Sequence, residues 1–269
     1  MAETLALGTE LLIGDGASPE VFTEVALLRE FTPPGLTVDT EETTNHSQAD
    51  YFRQFRPTLI NPGELSGQLL FDPADATHDD SDGVLSLLLD RQRHNMKIRI
   101  PTDPILNYDF AAIVTQFQPG TPTDQHLTAD FTAMLSGVLT IATQPIVASV
   151  EDTGSDGPAY TEGEDIEFTV TFDKAVTVSG SPQITINLAG VGGDVQLTYA
   201  SGSGTAALVF SLTAGAAGVH QADATEVTMA AQIIDLNGGT MVDANGNPAR
   251  LTIATADIGD LTGVSVNAA

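Results

Sequence analysis

Leu127-Thr128-Ala129-Asp130-Phe131-Thr132-Ala133-Met134-Leu135 alternates apolar and polar side chains. Leu127, Ala129, Phe131, Ala133 and Leu135 share one face; Thr128, Asp130 and Thr132 share the other. A period of two is the period of a strand, so the segment reads as half-buried in a sheet. One face belongs to a core, and the other is wet or set against a partner. The run continues to Ile141. A comparable run lies upstream, from Asn107 to Gln118, and Pro119-Gly120-Thr121-Pro122-Thr123-Asp124 separates the two. Together they predict a large hairpin with a long loop.

Shorter strands flank it. Leu65, Gly67, Leu69 and Phe71 oppose Glu64, Ser66 and Gln68, while Met96, Ile98 and Ile100 alternate with Lys97 and Arg99. Between them a single helix is expected from Ser81 to about His94. Ser81 can cap it, Asp79, Asp80 and Asp82 suit its positive end, and Arg91, Arg93 and His94 suit its negative end. Val84, Leu85, Leu88 and Leu89 form its apolar stripe. From Asp39 to Asn61 no period is sustained. That excursion carries Asp39-Thr40-Glu41-Glu42-Thr43-Thr44-Asn45-His46 and then Tyr51-Phe52-Arg53-Gln54-Phe55-Arg56. A long segment without a core of its own but with clustered aromatics points to function.

A seam falls at Ile141-Ala142-Thr143-Gln144-Pro145, with the linker at about 142–146, where the composition changes. Seven of the nine basic residues and eight of the eleven Phe precede it. Beyond it, Ile166, Phe168, Val170 and Phe172 alternate with Glu167, Thr169 and Thr171. The pattern returns at Ile184–Leu188, Val195–Tyr199 and Ala206–Leu212. Turns rich in Gly, Asn and Pro separate these runs, including Gly190-Val191-Gly192-Gly193 and Asn245-Gly246-Asn247-Pro248. Short strands at regular spacing describe an antiparallel β-sandwich. The expected organisation is therefore mainly β in two domains, 1–144 and 145–269, within the size two cores need.

Charge narrows the function. The chain has 269 residues, 36 Asp+Glu and 9 Lys+Arg, for a formal charge of -27. Residues 1–145 carry 21 acids and 7 bases, or -14, and residues 146–269 carry 15 and 2, or -13. Sequence-independent binding to nucleic acid or to an anionic membrane depends on clustered cations, which are missing here. With no Cys, thiolate metal sites and cysteine nucleophiles are excluded. The opening Met1-Ala2-Glu3-Thr4-Leu5 lacks the basic start of a secretory signal, and no apolar run reaches membrane-spanning length, so folding in the cytoplasm is expected.

No catalytic, metal or cofactor constellation stands out. His46, His78, His94, His126 and His220 are scattered. The run Asp72, Asp75, Asp79, Asp80 and Asp82 reads as turn closure and helix capping before it reads as a cation site. Asp243, Asn245 and Asn247 open like a calcium loop but lack the closing Glu. Gly202-Ser203-Gly204-Thr205-Ala206-Ala207 fits a loose dinucleotide pattern, yet lies between two strands and reads as a hairpin. Arg91, Arg93, Lys97 and Arg99 form the one basic cluster. Two readings stay open for it: helix-end capping with a solvated strand face, or pairing with an acidic surface of a neighbouring subunit.

Four further stretches matter together: Gly35-Leu36-Thr37-Val38-Asp39-Thr40-Glu41-Glu42-Thr43-Thr44, then Gly63-Glu64-Leu65-Ser66-Gly67-Gln68-Leu69-Leu70-Phe71-Asp72-Pro73, the expected helix, and Phe117-Gln118-Pro119 through to Leu139. In this order and spacing, residues 1–144 resemble the major tail tube proteins of long, non-contractile bacteriophage tails. The resemblance implies a β-sandwich or barrel with one flanking helix and no enzymatic activity. It implies hexameric rings stacked into a tube that holds the tape-measure protein and later conducts DNA. By family position, residues 39–61 become the ring-stacking excursion, with Asp39, Glu41, Glu42, His46, Tyr51, Phe52, Arg53, Phe55 and Arg56 in contact. The resemblance matches no single lumen residue; Thr128, Asp130 and Thr132, the polar face of the strand at 127–135, are taken as the candidate lumen face.

Glu162-Gly163-Glu164-Asp165-Ile166-Glu167-Phe168-Thr169-Val170-Thr171-Phe172, with Thr198-Tyr199-Ala200-Ser201-Gly202-Ser203-Gly204-Thr205 and Leu236-Asn237-Gly238-Gly239-Thr240, makes the second half look like a bacterial Ig-like domain. Such a domain implies a decoration on the outside of the tube, with a host-surface glycan as its partner. The expected location is the virion tail, assembled in the host cytoplasm with other tail proteins and without a membrane anchor or cofactor. Two other classes stay in view: a secreted or surface Ig-like adhesin or carbohydrate-binding protein, and a glycan hydrolase with two positioned carboxylates. The first would call for a signal peptide and usually an aromatic platform, whereas Trp is absent.

Overall fold

In the computed structural model the alternation at 127–135 becomes a strand flanked by two others. Residues 7–17, 20–45, 52–121, 126–154, 159–161, 163–189, 193–213 and 226–267 are described. The chain divides into two units, Met1–Thr143 and Gln144–Ala269, and is mainly β with a single α-helix among the described residues.

The first unit contains β1 (Glu10–Gly14), β2 (Phe22–Glu24), β3 (Leu28–Thr32), β4 (Thr37–Glu42), β5 (Phe55–Asn61), β6 (Glu64–Leu70), α1 (Val84–Asp90), β7 (His94–Ile100), β8 (Leu106–Gly120), β9 (Thr128–Leu135) and β10 (Thr140–Thr143). Its main sheet runs β2-β1-β7-β8-β9-β6-β3 with every neighbour antiparallel, and β10 pairs with β8. The two strands at the ends of that order, β2 and β3, are joined by Val25-Ala26-Leu27 alone. So short a link requires the sheet to curl around its core until its ends meet.

Hydrogen bonds fasten that corner. The Val25 amide donates to the Leu11 carbonyl at 2.7 Å and the Leu70 amide to the Leu27 carbonyl at 3.0 Å. Fully buried His78 donates from Nε2 to the Ala26 carbonyl at 2.8 Å, and its Nδ1 accepts the Asp72 amide at 3.2 Å. Burial of both ring nitrogens in bonds fixes the neutral Nε2–H tautomer and accounts for a histidine in a turn without any ligand.

Inside the curl, Leu65, Leu69, Ile98, Phe110, Phe131 and Leu135 are buried together with Val84 and Leu87 of α1. The inward position between Leu65 and Leu69 is Gly67. A Cβ there would lie 2.8 Å from the ring of Phe131 on β9 and 3.0 Å from Cβ of Phe31 on β3, so the two aromatics close over a position that only glycine fills.

The helix is shorter than the charge pattern predicts. It starts at Val84, after Gly83, because the Asp79 carboxylate accepts the amides of Ser81, Asp82 and Gly83 and closes the preceding turn itself. Ser81 is not the cap. Arg91 adopts a left-handed conformation with φ 55° and ends the helix, and His94 already belongs to β7. The acid run is turn chemistry: Asp72 accepts the Ala74 amide, and Asp75 accepts both the amide and hydroxyl of Thr77. Those bonds hold the Asp75 and Asp79 carboxyls below the ordinary value, through the Thr77 hydroxyl for the first and the Asp82 amide for the second.

The second unit contains β11 (Val147–Asp152), β12 (Ala159–Thr161), β13 (Asp165–Ser179), β14 (Gln183–Ala189), β15 (Gly193–Ser201), β16 (Thr205–Thr213), β17 (Glu226–Thr228), β18 (Gln232–Ile233), β19 (Thr240–Val242), β20 (Thr252–Ile253) and β21 (Ser265–Asn267). Its main sheet runs β11-β13-β16-β15-β14-β17, with β19 on the far end of β13. Ile166, Phe168 and Val170 of β13, with Ile184, Leu208 and Phe210, pack against Tyr160, Ile253 and Val266 from the short strands. One departure from an all-antiparallel expectation is the parallel pair β12–β21. Gly202 to Ala207 forms the β15–β16 hairpin. The Asp243 carboxylate, at the opening of the calcium-like loop, is occupied by the chain. It accepts the Asn245 amide at 2.9 Å, the Asn247 amide at 2.8 Å and Nδ2 of Asn247 at 3.0 Å.

Replacing Gly67 by valine forces side-chain atoms into the Phe31–Phe131 contact, and overpacking of this kind costs about 1–3 kcal/mol. Chemical denaturation of the full chain should show that loss, while a Ser66→Ala control stays close to wild type.

Candidate functional site

Sequence patterning left residues 39–61 as an irregular excursion, but β4 and β5 pair into an antiparallel ribbon that forms its own two-stranded sheet. Val38 faces Ile60, Glu41 faces Arg56 and Glu42 faces Phe55, with a bulge between Val38 and Thr40. At its base, Gly63 adopts φ 77°, and a Cβ there would come within 2.5 Å of the Gly35 carbonyl. The two strands thus leave the curled sheet through a crossing of two glycines. Bonds from the Gly63 amide to Asn61 Oδ1 and from the Leu135 amide to the Gly63 carbonyl root the ribbon beside the end of β9.

Every described residue of both strands is exposed. Leu59 is 75% exposed, Ile60 65%, Phe55 55% and Val38 52%, and Phe52 beyond β5 is exposed as well. Isolated two-stranded hairpins are marginal in water, and this one shows large apolar groups on both faces. Its polar groups are settled internally. Arg56 donates to Glu41 from Nε at 3.1 Å and from Nη2 at 2.7 Å, and Arg53 lies 3.9 Å from Glu42. Both arginines, placed in the ring-stacking excursion by the resemblance, are paired along their own ribbon. Asp39 presents its carbonyl to the Thr58 hydroxyl at 3.0 Å. His46 and Tyr51 lie outside the described residues.

The proposed lumen residues do share one face. Across four strands, Glu30, Gln68, Asp130 and Gln118 stand in one row, and Thr32, Ser66, Thr132 and Gln116 stand in the next. Thr128 sits at the strand's start, opposite Leu70 and Gly120. Gln68 ties the first row together, donating to Asp130 Oδ1 at 2.8 Å and accepting from Arg29 at 3.3 Å. The result is a surface of amides, hydroxyls and carboxylates with one arginine at its edge. Glu30, Ser66, Gln68, Gln116 and Gln118 were not identified from sequence, because only the strand register aligns them with β9.

The basic cluster does not stay together. Lys97, which both sequence readings put at a surface, solvated or facing a neighbouring subunit, is 1% exposed; its Nζ lies 3.3 Å from Asp109 and 4.3 Å from the centre of the Phe22 ring. Arg99 donates to Glu10 at 2.9 Å. Both cations therefore have partners in their own chain, across β7–β8 and β1–β7. Arg91 and Arg93 remain exposed in the turn after α1, with no ion pair among the described residues.

Solved structures similar to this chain include two from gene transfer agent particles. One is a chain of the virion of a native gene transfer agent particle, at 16% identity and a TM-score of 0.39, with 49% of this chain and 95% of that chain covered. The other is a chain of the tail of an empty gene transfer agent particle determined with C6 symmetry, at 18% identity and a TM-score of 0.39, with 49% and 96% covered. No protein-family model matches the chain, and no curated protein does.

Removing Asp109 takes the carboxylate away from a buried ammonium, and a broken buried ion pair costs roughly 3–5 kcal/mol. Asp109→Ala should lower the unfolding free energy by about that much. The double variant Lys97→Met/Asp109→Leu should recover most of it, which denaturant titration of both proteins checks.

Proposed function

We propose that this chain is a structural protein of a phage-like tail, and that its first unit associates with copies of itself through the β4–β5 ribbon. The exposed ribbon carries this reading: Val38, Phe55, Leu59 and Ile60 are displayed on a two-stranded sheet with too few strands to bury them. A second copy of the chain supplies the missing cover and removes a sheet edge open to aggregation. The resemblance to tail tube proteins supplies the geometry of the proposal. Six copies form a ring, the ribbon of each docks onto the next ring, and the stack is a tube. The similar solved structures described above come from a virion and a tail, and the proposal puts this chain in a particle of that kind.

Within the tube, the Glu30–Gln68–Asp130–Gln118 face lines the lumen. A wall of carboxylates and amides repels phosphate at short range, over roughly 8–10 Å at moderate salt, and gives DNA and the tape-measure protein nothing to hold. Arg91 and Arg93, two exposed cations with no ion pair among the described residues, meet acidic surface on a neighbouring subunit. The second unit is an Ig-like decoration on the outside. Repetition around and along the tube lets weak individual contacts with a host-surface glycan add up.

Imaging the purified full-length protein by negative-stain microscopy tests the reading: rings and tubes support it, and a monomer at all concentrations contradicts it. A sharper test replaces Phe55, Leu59 and Ile60 together with serine. These side chains are exposed, so the variant keeps the wild-type circular dichroism and thermal midpoint, and it forms no tubes. Truncation after Thr143 should leave tubes of unchanged ring spacing and smaller outer diameter. Loss of assembly in a soluble truncated chain would make the second unit part of the wall.

A further inference from the structure

Self-association has to overcome the charge of the chain. Each copy carries -27, of which the first unit holds -14. Four of the seven cations of that unit are already engaged: Arg53, Arg56, Lys97 and Arg99 each pair with an acid of their own chain, which leaves Arg29, Arg91 and Arg93 exposed against the excess. The ribbon is the exception to the general excess. Asp39, Glu41 and Glu42 on β4 stand against Arg53 and Arg56, two of which pairs are closed internally, so its apolar surface is nearly neutral. Two copies therefore meet through a neutral apolar contact mounted on bodies that repel.

We infer that assembly of this chain is gated by ionic strength, with salt promoting it. The inference rests on the ribbon being the self-association surface. The screening length shrinks from about 30 Å at 0.01 M salt to about 10 Å at 0.1 M and about 3 Å at 1 M, so repulsion between whole subunits fades while contact at the ribbon is kept. Salts excluded from protein surfaces strengthen apolar burial further. An interface built on ion pairs between subunits has the opposite sign, because screening weakens it. Arg91 and Arg93 act as local relief: they lower the salt at which assembly begins without setting its direction.

Sedimentation velocity of the full-length protein at one concentration, in sodium chloride from about 0.01 M to about 1 M, tests this. The expected result is a monomer at the low end and large assemblies at the high end, with Phe55→Ser/Leu59→Ser/Ile60→Ser monomeric throughout. Arg91→Glu/Arg93→Glu should need more salt than wild type and converge with it at the high end. Assembly that is independent of salt, or that dissolves as salt rises, overturns the gate and leaves the ribbon reading standing. Magnesium chloride driving assembly at far lower ionic strength than sodium chloride assigns the effect to bound cations and overturns screening. A wild type that stays monomeric at every salt, or a ribbon variant that assembles like wild type, overturns the reading beneath the inference.

Discussion

Positive charge is scarce in this chain, and where each cation goes decides what the remaining surface can do. Lys97 is taken inside, against Asp109 and the Phe22 ring, where it ties β1, β2, β7 and β8 together at the cost of desolvation. Arg99 pairs beside it with Glu10, and Arg53 and Arg56 flank the ribbon strands. What is left outside is overwhelmingly acidic. Such a surface is poorly suited to holding a polyanion and well suited to letting one pass. Under the proposed function, attachment to further copies comes from apolar contact, and the ribbon gathers Val38, Phe55, Leu59 and Ile60 on one exposed two-stranded sheet.

The curl of the first unit gives its strands two distinct jobs. Inward, Phe131 and Phe31 meet over Gly67 and hold β3, β6 and β9 at one register. Outward, that same register lines up Glu30, Gln68, Asp130 and Gln118 in one row, with Gln68 bonded to Asp130. The core thus determines the chemistry of the face. It also anchors the ribbon, because the Leu135 amide at the end of β9 bonds to Gly63 where the two ribbon strands cross. A displacement of β9 would disturb core, face and ribbon root together.

Much of this is legible in the sequence where two faces of a strand meet different surroundings. Residues 65–71, 96–100 and 127–135 alternate because one side is dry, and the structure places them on β6, β7 and β9. The ribbon is illegible by the same logic. Both its faces are exposed, so Thr37–Glu42 and Phe55–Asn61 show no period, and only the clustered aromatics Tyr51, Phe52 and Phe55 single the segment out in the sequence. Lys97 sits at a polar position of an alternating strand; its burial depends on Phe22, distant in sequence and brought near only by the sheet order. The helix was overextended because Arg91 and Arg93 suit a helix end by charge, whereas the left-handed turn at Arg91 and the pull of β7 on His94 end it earlier.

Hydrogen exchange read by mass spectrometry on the assembled and dissociated full-length protein tests the central claim most directly. The amides of Thr37–Glu42 and Phe55–Asn61 belong to an exposed two-stranded sheet and should exchange fast in the dissociated chain. The account predicts that they become strongly protected on assembly, together with the peptide that spans Arg91 and Arg93, while the core strands β6 and β9 change little. Assemblies in which the ribbon amides exchange as fast as in the dissociated chain would contradict it.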